Sequence, residues 1–193
     1  LILVGDRGML TQPQINKLKA HPGIGWITAL TSVSIRKLVQ QGTLQRSFFD
    51  EKNLAEITSP DLPGERLMAC YNPLLAEKRR RKRGELLAGT EKGLTKLAKE
   101  VARRTKTPLK GSEIGLKAGK VVGRYKTGKH YQLTIADGTF QWTRREDAIA
   151  AEAMLDGIYV IRTSEPKERL SAEDTVRTYK SLSQVERVFL CMK

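Results

Sequence analysis

The sequence predicts an α/β fold interrupted by an inserted module, a basic helix followed by a small antiparallel β unit. Three observations carry this reading. The chain opens strand–helix–strand. Its middle is a long Lys/Arg-rich helical stretch leading into alternating strands around an Asp-Gly turn. It closes on a strand and a well-patterned helix. The expected organisation is 1–45 for the opening part of the core, 46–155 for the inserted region and 156–193 for the closing strand and helix.

The opening "LILVG" reads as a buried strand ended by Gly5 and Gly8. "TQPQINKLKAHP" then predicts a short helix. Thr11 is placed to cap it, Pro13 suits its first turn, and Ile15 and Leu18 form an apolar i, i+3 pair. "GIGWITAL" is a second buried strand, with Trp26 read as core. Two strands joined by a helix are expected to lie parallel in one sheet.

"SIRKLVQQG" predicts a short helix stopped by Gly42, and a strand is expected near "RLMACYN". "LLAEKRRRKRGELLAGTEKGLTKLAKEVARR" predicts a long helix with its glycines, at 84, 89 and 93, as weak points. Leu86, Leu87, Leu94, Leu97 and Val101 give it a partial apolar stripe. Residues 106–120 read as a Gly/Lys-rich connector. The following "VVGRYKTGKHYQLTIADGTFQWTR" reads as a small antiparallel unit, with Tyr131, Leu133 and Ile135 alternating and Asp137-Gly138 as the turn. "REDAIAAEAML" is a short amphipathic helix and "DGIYVIRTS" another strand. In the final helix Ser171 and Asp174 have capping-box spacing.

Composition narrows the partners. Lys+Arg 35 against Asp+Glu 21 gives a net charge of +14 in 193 residues. Such a surplus favours a polyphosphate partner, because each neutralised phosphate releases condensed counterions. No apolar run approaches the roughly 20 residues of a membrane helix. Cys70 and Cys191 lie far apart and form no metal-binding pattern with His21 and His130. A reducing cytoplasm is the expected location. "GLKAGKVVGRYKTGK" lacks the spacing of a phosphate-binding loop for nucleoside triphosphates.

Helix geometry singles out part of the closing helix. Leu182, Glu186 and Lys193 follow Tyr179 at +3, +7 and +14, which puts all four within an arc of about 60°. Val185, Phe189 and Met192 flank that arc and are expected to face the sheet. A carboxylate at the border between core and cleft is costly unless paired or bound to a cation. On geometry alone, Glu186 reads as a salt-bridge partner.

"YKSLSQVERVFLCMK" matches Tyr-x2-Arg-x3-Glu-x6-Lys at three of its four fixed positions. It resembles the last catalytic helix of bacterial insertion-sequence transposases of the DDE type, in the branch with the Tyr/Arg/Glu/Lys signature. "LILVGDRGM" resembles the strand-plus-Asp element of that family. "LDGIYVIRTS" is similar to the strand before its Glu helix, and "NPLLAEKRRRKRGELLAGTEKGL" to the basic helical part of its inserted region. The departure is Leu182, where the family has Arg; Arg187 points about 100° away and is a poor substitute.

The resemblance implies a partial RNase H-like fold and metal-dependent DNA strand cleavage and transfer. It makes Asp6 the second catalytic Asp and Glu186 the catalytic Glu. Both would be ligands of two Mg²⁺ (or Mn²⁺) ions, for which carboxylates are suitable hard ligands. Tyr179 and Lys193 would contact DNA near the cleaved end. The run Arg79, Arg80, Arg81 and Lys82 would track DNA phosphates, against the plainer reading of a solvated helix face. Trp142 is open between core packing and stacking on a flipped base. Arg7 is open to pairing with Asp6. The family's first Asp is expected upstream of Leu1, so the chain is expected to be a fragment that does not catalyse transposition alone. Its intact parent is expected to act on transposon ends and target DNA as a homodimer. The alternative is a non-catalytic basic nucleic-acid-binding protein, ribosome-associated or DNA-binding.

Overall fold

A computed structural model describes residues 1–191, with side chains described through residue 184. In chain order the first elements are β1 (Ile2–Val4), α1 (Gln12–Lys19), β2 (Gly25–Ala29), α2 (Ser32–Gln40), β3 (Leu54–Ile57) and β4 (Arg66–Tyr71). Next come α3 (Pro73–Arg103), α4 (Gly111–Tyr125), β5 (Tyr131–Ala136), β6 (Thr139–Arg144) and α5 (Glu146–Ala153). The last are β7 (Ile158–Thr163) and α6 (Ala172–Cys191). The chain is mixed α/β and divides into two compact units. Residues 1–73 with 157–193 form one, and residues 74–156 form the other.

The first unit is built on a five-stranded mixed sheet of order β1-β2-β7-β4-β3. β1 and β2 are parallel, as a strand–helix–strand opening requires, and every other pair is antiparallel. The central strands β2, β4 and β7 carry near-continuous apolar runs because helices and loops cover them. Ile27, Met68 and Ile161 are fully buried there. α1 starts where Thr11 meets Gln14, whose Oε1 accepts from both the Thr11 N–H and its hydroxyl. Ser171 Oγ accepts from the Asp174 N–H at 3.0 Å and starts α6. Gly25 is needed for space. A Cβ there would lie 1.4 Å from Glu165 Oε1, so the buried carboxylate of Glu165 occupies the volume a side chain would fill.

Residues 46–73 correct the expected domain boundary. The sequence pattern places them in the inserted region, yet they supply β3 and β4, and β4 pairs with β7 over six residues from Arg66↔Thr163 to Tyr71↔Ile158. The pairing joins segments roughly ninety residues apart, a separation that local pattern does not reveal.

In the second unit α3 lays Leu87, Leu94, Leu97 and Val101 against Ile114 and Ala118 of α4 and against Tyr131 and Phe140 of the β5–β6 hairpin. The hairpin turns at Asp137-Gly138, where Gly138 takes φ +65°. Thr90 is buried mid-helix. Its hydroxyl donates to Leu86 O at 2.7 Å and meets Thr127 Oγ1 at 2.8 Å. The expected connector 106–120 is corrected as well, because residues 111–125 form α4. Glycines at 111, 115, 119 and 123 conceal the period of Ile114, Ala118, Val121 and Tyr125. Each glycine costs about 1 kcal/mol in a helix, and packing of the apolar face outweighs it.

Candidate functional site

The chemistry-bearing end of the first unit lies where β1 stops. Asp6 follows β1 on an exposed turn. Its Oδ1 accepts the N–H groups of Gly8 at 2.8 Å and Met9 at 2.7 Å. Its backbone carbonyl accepts from the Thr28 hydroxyl of β2 at 3.1 Å. The side chain is therefore oriented by its own loop and tied to the neighbouring strand. Among the described residues Asp6 forms no ion pair; Arg7, open as a partner on sequence, does not take that place.

The direction of α6 follows from Leu170, just before it, and Lys180, midway along it. Arg66 Nη1 donates to Leu170 O at 2.8 Å just before the helix. Farther on, Lys180 acts electrostatically on Cys70, four residues along β4 from Arg66. So α6 runs with β4 and antiparallel to β7, which makes it parallel to β1 and β2. Asp6 stands just past Val4, which is level through Ile27 and Thr163 with Arg66, so it lies at the level of the first turns of α6. Tyr179 is half-buried on α6 and packs against the cluster of Ile27, Met68, Cys70, Ile161 and Val176. The Glu186 side chain and all of Lys193 lie outside the described residues. Among the described residues no three His, Cys, Asp or Glu side chains gather as a metal site.

Burial pushes the Cys70 thiol up to about 11, against a smaller opposing effect from its hydrogen bond with Tyr159. At neutral pH it is a protonated core group and no nucleophile.

The basic run of α3 is more committed to the protein than its sequence suggests. Arg79 Nη1 donates to Leu155 O at 3.2 Å. Arg80 pairs with Glu77 at 2.6 Å, and Arg81 and Lys82 both reach Glu85 at 3.7 Å. Arg83 is fixed by both its Nη atoms to the Asp156 carboxylate, at 3.0 and 2.5 Å. Arg80, Arg81 and Lys82 remain exposed, and such surface pairs are weak enough to exchange for phosphate. Trp142 is half-buried on β6 and packs edge-on against Tyr131, with ring centroids 5.8 Å apart. Its ring completes the edge of the core and is not held out as a stacking platform. Trp26 is core, 1% exposed.

Two groups carry no sequence signal strong enough to single them out. One is a buried network in the first unit. Arg162 binds both carboxylate oxygens of Glu65 at 2.7 Å, donates to Gln12 Oε1 at 3.1 Å and stacks 5.0 Å over Trp26. Its members come from four separated segments and leave no motif. The other is a set of cations at spacing four, Lys92 with Lys96 on α3 and Lys120 with Arg124 on α4. Their spacing is legible, but the louder Arg/Lys run hides it.

Comparison with known proteins is silent: no family model, curated protein or solved structure matches this chain. No helix among the described residues is long and apolar enough to cross a membrane.

Proposed function

We propose that the chain is part of a DDE-type DNA transposase with an RNase H-like core, and that Asp6 and Glu186 are two of its catalytic carboxylates. The observation that supports this reading is Asp6 itself, an exposed carboxylate directly past β1 that is held by the N–H groups of Gly8 and Met9 and forms no ion pair among the described residues.

Asp6 suits a hard cation. It offers carboxylate oxygen at an exposed strand end, oriented by two backbone N–H groups and not neutralised by a neighbouring cation among the described residues. Two Mg²⁺ or Mn²⁺ ions, when bound, would activate a water or 3′-hydroxyl and stabilise the leaving alkoxide. The protein's own share is to hold the carboxylates and to keep the strand in register. Asp6 is fixed by its turn, Glu186 is carried by α6, and Lys193 follows as a point charge for phosphate. Tyr179 would steer the strand end from the same helix. Arg79, Arg80, Arg81 and Lys82 would hold DNA without reading its sequence.

The test is nicking of supercoiled plasmid by the protein as its gene encodes it, with and without Mg²⁺. Asp6→Asn and Glu186→Gln are each expected to abolish nicking while DNA binding persists. Nicking that survives both substitutions would sink the reading. The second reading, a non-catalytic nucleic-acid-binding protein, is favoured by the exposed cations of α3. It predicts DNA binding indifferent to Mg²⁺ and no cleavage under any condition.

A further inference from the structure

We infer that the groove between α3 and α4 is a docking track for the phosphodiester backbone of duplex DNA. It is a site separate from the Arg79–Lys82 run. The inference deepens the DNA-directed reading above and rests on it for the choice of partner.

Two glycines build the groove. A Cβ on Gly93 would meet Val121 Cγ1 at 2.7 Å, and one on Gly89 would meet Tyr125 Cε1 at 2.9 Å. The bare backbone of α3 at these positions, one turn apart, lets α4 settle directly against it. What look like weak points in a helix are the seats of its neighbour. The close approach sets the two rims of an open groove of about 330 Å³.

The rims are cationic. Lys92 and Lys96 stand on α3, and Lys120 and Arg124 on α4. All four are exposed and the groove is lined by no acid. None of the four belongs to an ion pair among the described residues, in contrast to Lys117, whose ammonium is engaged by Glu100. Arg124 lies 5.6 Å over the ring of Tyr125, which holds its guanidinium at the rim. The α3 rim continues through Lys99 and Arg103, both exposed; the acids on this stretch, Glu91 and Glu100, are engaged by Arg144 and by Lys117 and Arg104. From Lys92 to Arg103 the row runs about 16 Å along the axis. One strand of B-DNA presents about five phosphates over that length.

Four like charges facing one trough are mutually repulsive, and a bound polyanion relieves that repulsion. The trough floor is glycine backbone with partly exposed Val121 and Tyr125, and its rims are cationic. A repeating backbone phosphate fits better than an acidic peptide. The contact is predicted to be indifferent to base sequence.

The experiment is fluorescence anisotropy of a labelled DNA duplex of arbitrary sequence, titrated with the full chain across about 50–200 mM salt without divalent metal. The double variant Lys120→Gln/Arg124→Gln is expected to lower the magnitude of the log Kobs against log salt slope by about 1.8, near 0.9 per lost phosphate contact. The control pair Arg36→Gln/Lys52→Gln removes the same charge from the first unit and is expected to keep the slope. Lys120→Arg/Arg124→Lys is expected to restore it, which separates lost contacts from damaged folding. A groove variant that keeps the full slope overturns the inference, as does a control pair that loses as much. Tighter binding of poly-glutamate than of DNA, sensitive to the same pair, would assign the groove to an acidic peptide and also overturn it. Because the readout needs no metal and no cleavage, loss of the catalytic reading at Asp6 would leave this result standing.

Discussion

One helix carries two basic stretches that behave in opposite ways. Residues 78–83 of α3 are six consecutive cations, and adjacent residues on a helix point about 100° apart. A contiguous run therefore sprays charge around the axis. Arg79 turns onto a backbone carbonyl, Arg83 onto a largely buried carboxylate, and Arg80, Arg81 and Lys82 pair with Glu77 and Glu85. Lys92, Lys96, Lys99 and Arg103 are fewer, but their spacing keeps them on one face. The lesson is that charge density along a sequence and charge offered to a partner are different quantities. Helical spacing decides the second.

The largest effect is expected at Arg83, whose side chain and that of Asp156 are each only 11% exposed. Arg83→Ala strands a largely buried carboxylate and is expected to cost about 3 kcal/mol of stability, read from the urea midpoint. Lys92→Ala, from the other stretch, is expected to stay within about 0.5 kcal/mol. Equal losses would erase the distinction.

Next comes Glu91, which lies between the two stretches. The hydrogen bond from Arg144, supported by one from Tyr131 and opposed by burial, holds its carboxyl below the ordinary 4.5. A depressed carboxyl contributes stability that is full above the unfolded value and lost as pH falls through the folded one. Urea midpoints should therefore decline on acidification below about pH 4.5. Glu91→Gln should remove part of that decline and cost about 1–2 kcal/mol at neutral pH. A variant with the same acid profile as the parent would show that Glu91 is not a contributor.

Two glycines of α3 sharpen the contrast further. Gly93→Ala is expected to destabilise by about 1 kcal/mol, the crowding against Val121 outweighing the gain in helix propensity. It should also weaken DNA binding by widening the groove. At Gly84 an added methyl would meet nothing within 4 Å, so Gly84→Ala is expected to stabilise by about 0.5–1 kcal/mol and leave binding unchanged. Thermal melts read both signs. The smallest effect belongs to the exposed pairs: Glu85→Ala is expected to shift stability by less than about 0.5 kcal/mol.

What can be read from the chain alone is local. The parallel β1–β2 pair, the Asp137-Gly138 turn and the Ser171 cap each follow from a few neighbouring residues. β3 is hidden because "LAEI" is short and sits among turn residues. α4 is hidden because its glycines cancel its propensity. The Arg162–Glu65 network is invisible, since its partners meet only through β7 and the loop before β4. At the candidate site the identity of Asp6 is legible, but its orientation by Gly8 and Met9 is not. Trp142 stays open on sequence because side-chain burial on a hairpin depends on what packs beneath it, here Tyr131 and the α3 stripe.

The chain leaves the sheet after β4 and returns at β7 through neighbours: Asn72 N–H donates to Gly157 O at 2.9 Å, directly beyond the Tyr71↔Ile158 pair. Residues 74–156 thus hang from two adjacent strand tips, where an ordinary hairpin would need only a tight turn. Such a cassette can be swapped, lengthened or trimmed over generations without disturbing the ladder that holds it, so the two halves of this protein are free to diversify at different speeds.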